Sequence, residues 1–160
     1  MKALFIAITA LFMTSALAQD FKIVNLPTIK TFYRESKADA PIGSEIQAFF
    51  QSSDLYKIRR DQWVILVIEA KTGKLSGIAM EFQDGYDYKH IPENRIKEFK
   101  ASRYVQLESK KSANRKEILK NFEKFMKDKK LKLSGDFIFI LMPAIKVKDS
   151  EVNQFFWPIE

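Results

Sequence analysis

A chain with no cysteine and one histidine, His90, has few routes to covalent chemistry. Disulfide scaffolds, thiolate zinc sites, cysteine nucleophiles and multi-histidine metal sites are excluded. No phosphate-cradling glycine loop, nucleophile elbow or zinc-binding helix pattern occurs in the 160 residues. Asp84, Asp87 and Glu93 lie near His90, but without the alternating spacing and glycine turn of a calcium loop. No catalytic residue, metal ligand or cofactor is therefore predicted. What these side chains can do is recognise. Tyr33, Trp63, Tyr104, Phe156 and Trp157 offer aromatic faces that suit flat or cationic ligands, or else fill a core. Strand alternation sets Gln154 and Phe156 on one face, Phe155 and Trp157 on the other. Phe156 is accordingly favoured over Trp157 for a pocket wall. His90, with Tyr86 and Tyr88, reads as a pH-sensitive contact or as a solvated loop histidine.

The elements that must position these residues occur twice. A gapless shift of 73 residues lays Glu35-Ser36-Lys37 on Glu108-Ser109-Lys110, Phe49 on Phe122 and Phe82 on Phe155. Residues 22–35 and 95–108 read as strands rich in β-branched and aromatic side chains. Pro41 marks the first position of a helix carrying Ile42, Ile46, Phe49 and Phe50 at helical spacing. Ser112 marks the cap of its counterpart, which runs to Asp128 with Ile118, Leu119, Phe122, Phe125 and Met126 on one face. Two strands follow each helix: Trp63–Glu69 and Gly77–Gln83, then Phe137–Met142 and Glu151–Pro158. The expected fold class is α+β, a tandem strand-helix-strand-strand duplication with repeats at 20–83 and 93–158. Each unit has one helix over a three-stranded sheet, so neither buries a core alone. The cleft between the halves is the expected ligand site.

The second half resembles the gyrase-inhibitor-like (GyrI-like) small-molecule-binding domain, also known as the effector-binding domain of bacterial transcription activators. The residues that carry this are Ile96-x-x-Phe99-x-Ala101-Ser102-x-Tyr104-Val105, the helix Ile118 to Met126, the strand Phe137 to Leu141, and Phe155-Phe156-Trp157-Pro158-Ile159. The resemblance implies a pocket for a small, aromatic or amphipathic ligand. Many family members hold a pocket glutamate two residues before the aromatic of the closing strand, and it meets cationic ligands. This chain has Gln154 there, Ile140 at the family's strand tyrosine, and no glycine in Glu108-Ser109-Lys110-Lys111. The 73-residue shift pairs Gln154 with Glu81, so Glu81 is either the substitute acid or a solvent-facing strand residue. The expected ligand-binding set is Glu81, Gln154, Phe156, Tyr33, Trp63 and Tyr104. The alternative within the resemblance is a hydrolase, which needs a pocket carboxylate.

Address and charge narrow the partners. Met1-Lys2, the apolar run Ala3 to Met13 and Ser15-Ala16-Leu17-Ala18 form a secretory signal pattern, with cleavage expected after Ala18 and a periplasmic or secreted product. The net charge of +7 is concentrated: residues 110–132 hold ten basic and three acidic side chains, whereas residues 37–59 hold three of each. The fold does not require that charge. It reads as a solvated face, or as a surface for anionic lipid or an acidic envelope partner. Nucleic acid is not an expected partner, because the basic residues carry no recognition motif.

Overall fold

A computed structural model describes residues 20–37, 39–58, 63–100, 102–110, 114–143 and 152–160. The signal pattern and Ser112 lie outside the described residues. The chain forms β1 (Lys22–Leu26), β2 (Ile29–Glu35), α1 (Ile42–Leu55), β3 (Trp63–Glu69) and β4 (Leu75–Glu81). The same order returns as β5 (Ile96–Phe99), β6 (Ser102–Lys110), α2 (Arg115–Asp128), β7 (Phe137–Pro143) and β8 (Val152–Ile159), after a short 3-10 turn, Glu93–Arg95. Each long strand expected at the head of a repeat is in fact two. Pro27 has no amide hydrogen for a ladder, and the first strand ends at Leu26. Pro41 precedes the helix rather than opening it, because its ψ of 134° is extended. Asn114 caps α2: its side-chain oxygen accepts from the Lys116 amide at 3.0 Å.

All eight strands join one antiparallel sheet in the order β1-β6-β8-β7-β3-β4-β2-β5. The order is a palindrome of the two repeats about the β7–β3 seam. Each repeat lends its first short strand to the other half: β1 pairs with β6, and β5 with β2. The halves are therefore not two three-stranded units docked across a cleft. They are one sheet with exchanged edges, and neither half is complete without the other.

The register also corrects the internal alignment. Helices α1 and α2 superpose at an offset of 73 residues, as do β2 and β6, which lays Tyr33 on Gln106. Tyr33 pairs with Ala79, and Gln106 with Phe156. Ala79 is thus the counterpart of Phe156, Gly77 of Gln154, and Glu81 of Pro158. The offset has grown to 77, chiefly because residues 144–151 between β7 and β8 outnumber residues 70–74 between β3 and β4. Glu81 and Gln154 are not symmetry mates.

Alternation along the strands divides the molecule into two layers. Phe32, Val64, Leu66, Met80, Val105, Leu107, Ile140 and Trp157 point to the helices and pack with Phe49 of α1 and Ile118, Phe122 and Met126 of α2. Phe122 stacks on Trp157 with ring centroids 4.3 Å apart. One charged residue, Glu45, enters this layer alongside the buried Ser53. Glu45, 4% exposed, accepts a hydrogen bond from Arg34 Nη1 at 2.7 Å and another from the Lys37 amide at 3.3 Å. Among the described residues, the opposite face of the curled sheet carries no helix. There Ile65, Val67 and Ala79 form a smaller cluster with Ile29, Tyr33, Phe99, Phe137, Phe139 and Leu141.

Candidate functional site

The helix-free face holds a cavity of about 430 Å3. Every strand contributes to it: Val24 and Leu26 from β1, Ile29 from β2, Ile65 from β3, Glu81 from β4 and Phe99 from β5. The far wall is Tyr104 and Gln106 of β6, Phe139 and Leu141 of β7, and Gln154 and Phe156 of β8. The sheet fixes these side chains through its register. Gln106 stands opposite Phe156, and Phe139 opposite the same Phe156 on the other side. Tyr104 meets Phe139 and Phe156 edge-on, at centroid distances of 6.0 and 6.2 Å. These are favourable geometries for aromatic pairs, and they hold the wall rigid. Burial pushes the Tyr104 phenol above its ordinary value, so it stays a neutral donor through the physiological range.

Of the six residues expected at the site, the structure brings four together: Glu81, Tyr104, Gln154 and Phe156. Tyr33 and Trp63 stand off it. Trp63 opens β3 and is partly exposed, opposite Pro143. Tyr33 lies across Gly77, where a Cβ would collide with its ring and hydroxyl. Its hydroxyl donates to the Ser76 carbonyl at 3.3 Å, and Lys97 Nζ covers the ring at 4.4 Å from the centroid. Burial raises the Tyr33 phenol, and the hydrogen bond to Ser76 opposes that rise.

This arrangement explains why a symmetric fold has an asymmetric pocket. On one side of the seam the Tyr33 ring, lying over Gly77, and Lys97 fill the space. Their counterparts on the other side are Gln106, Gln154 and Val24, and the cavity opens against these three. Strand periodicity could find the aromatic wall, but not Val24, Leu26 and Phe99, because the strand exchange that delivers β1 and β5 has no local signature.

The polar groups of the cavity sit at its margin. Glu81 is exposed at the end of β4. Gln154 Nε2 donates to Glu108 Oε1, its partner directly across the β6–β8 ladder, at 3.1 Å. That bond leaves the amide oxygen of Gln154 as its remaining acceptor. No group of three or more metal-ligating side chains exists among the described residues.

No protein-family model matches the sequence, and no curated protein matches it significantly. Solved structures do. The C-terminal domain of EcmrR superposes with a TM-score of 0.61 over 90% of this chain and 99% of its own, at 11% identity. SAV2435 bound to tetraphenylphosphonium gives a TM-score of 0.50 at 14% identity, covering 88% of this chain and 94% of that one. A hydrolase from Listeria innocua gives 0.52 at 11% identity over 91% and 94%. At these identities the likeness speaks for fold alone. The architecture is that of the gyrase-inhibitor-like effector-binding domains: two helices on one face of a curled antiparallel sheet.

Proposed function

We propose that this chain is a small-molecule-binding protein that takes an aromatic or amphipathic ligand on the helix-free face of its sheet. The observation that carries the proposal is the cavity of about 430 Å3 with aromatic walls at Phe99, Tyr104, Phe139 and Phe156 and few polar groups. Its size falls in the range for small-molecule sites, roughly 300–1,000 Å3. Apolar walls take up a hydrophobic body, and the side-chain oxygen of Gln154, the Tyr104 phenol and Gln106 orient it. Glu81 at the rim suits a ligand that carries positive charge. Tetraphenylphosphonium, the molecule bound to SAV2435, is such a ligand and serves as the probe.

Calorimetric titration with tetraphenylphosphonium tests the reading. Phe156→Ala is expected to weaken binding about 10-fold, the effect of losing one buried aromatic wall. Glu81→Gln is expected to weaken it about 3-fold at low salt and less at high salt. Equal affinities for the parent and Glu81→Gln would remove the acidic role. Unchanged titrations for Phe156→Ala would remove the cavity. We also propose that the protein works after export, with its N-terminus at Gln19. N-terminal sequencing of the protein recovered from the cells that make it tests this, and a chain that still begins at Met1 contradicts it.

A further inference from the structure

The opposite face of the sheet has a second recess. A groove of about 330 Å3 opens over β3 and β7, lined by residues of both helices. Its floor is Leu66, Ile68, Ile138 and Ile140, backed by Trp157. Its lips are Ile42 of α1 and Leu119 of α2, 37% and 46% exposed, and Lys71 stands at one end.

The charge on α2 is arranged around this groove. At about 100° per residue, Ile118, Phe122, Phe125 and Met126 define the buried face. Leu119 lies at the edge of that face. Continuing past Leu119 around the helix come Glu123 and then Lys116, Lys127 and Lys120, all exposed. Glu117 and Asp128 lie on the other side. Beyond Glu123 the lysine row follows the groove lip, with Lys116 one turn before Leu119 on the same flank. The matching helix α1 carries no basic residue in its last turn and has Gly43, Gln47 and Gln51 on its surface. The fold tolerates a helix without a single basic residue here, so neither sheet nor core accounts for the row.

An apolar slot beside a row of ammonium groups is complementary to an anionic amphiphile: a hydrocarbon chain for the slot, a negative headgroup for the lysines. We propose that the inter-helix groove and the lysine row of α2 form a docking surface for anionic lipid, in which an acyl chain enters between Ile42 and Leu119. This surface is separate from the cavity on the opposite face and does not depend on it.

Trp157 on the groove wall is 1% exposed and reports occupancy. The experiment uses the full chain carrying Trp63→Phe, so that Trp157 is the sole tryptophan. It is mixed with vesicles of phosphatidylglycerol or phosphatidylcholine with brominated acyl chains. Binding is read by sedimentation, and chain insertion by quenching of Trp157. The expected result is salt-dependent binding to phosphatidylglycerol with quenching, and little of either with phosphatidylcholine. Replacing Lys116, Lys120 and Lys127 together by Gln is expected to lower the affinity about 100-fold, each basic residue near an anionic surface being worth about 5-fold. Leu119→Asp, at an exposed site that leaves the core intact, is expected to abolish quenching. Any contribution from residues 1–18 is common to all variants. Three results overturn the proposal: equal binding to both vesicles, quenching indifferent to the lysines and Leu119, or a groove closed by a second copy, seen as a dimer that Leu119→Asp dissociates.

Discussion

Among single residues, the most demanding side chain is Glu45. A carboxylate at that depth is costly unless paired and hydrogen-bonded. Burial alone would raise its pKa. Hydrogen bonds from Arg34 and the Lys37 amide, with the Arg34 charge, outweigh that and hold it below the ordinary value. A lowered carboxyl pKa stabilises the fold above the unfolded-state value, about 4.3, and this contribution disappears as pH falls through the folded value. Urea unfolding measured across that acid range is expected to show a declining limb that Glu45→Gln flattens. At neutral pH, Arg34→Met is expected to cost about 3–5 kcal/mol by stranding Glu45, and the joint replacement Arg34→Met with Glu45→Leu much less. Nothing in the sequence marks this pair. Glu45 sits between Ile42 and Ile46 as an ordinary polar helix position, and its symmetry mate is the apolar Ile118.

Among the elements, periodicity is an accurate guide where one segment makes one element. Trp63–Glu69 and the two helices follow directly from it. It fails where pairing is non-local. The breaks after Leu26 and after Phe99 turn each leading strand into an exchanged edge and the strand beside it. A gapless repeat also cannot register the longer β7–β8 connection, so it matches Glu81 with Gln154 and not with Pro158. The aromatic cavity residues Tyr104 and Phe156 are legible because they alternate in their own strands. Tyr33 obeys the same alternation and misses the cavity because Gly77, diagonal to it across the β2–β4 ladder, leaves room for its ring. Gly77→Ala is expected to destabilise the protein by about 1–3 kcal/mol in chemical unfolding, since the new methyl meets the Tyr33 ring. Tyr33→Leu in the same chain should restore most of that loss. If it does not, Tyr33 is not what holds Gly77 in place.

Taken whole, the duplicated sheet presents two unlike faces, and a different chemistry belongs to each. The helix-free face encloses an aromatic cavity, open at Gln106, Gln154 and Val24, where the other half is filled by Tyr33 over Gly77 and by Lys97. The helical face divides over an apolar groove beside the one strongly basic segment. The net charge of +7 is thus a local property of residues 110–132 on an otherwise near-neutral chain. The small-molecule reading stands or falls on whether the ligand occupies the first of these faces. Intermolecular nuclear Overhauser effects between tetraphenylphosphonium and assigned methyl groups decide between them. Contacts to Val24, Leu26, Ile65 and Leu141 are expected. Contacts confined to Ile42, Ile118 and Leu119, in the groove between the helices, would place the ligand on the wrong face and refute the reading.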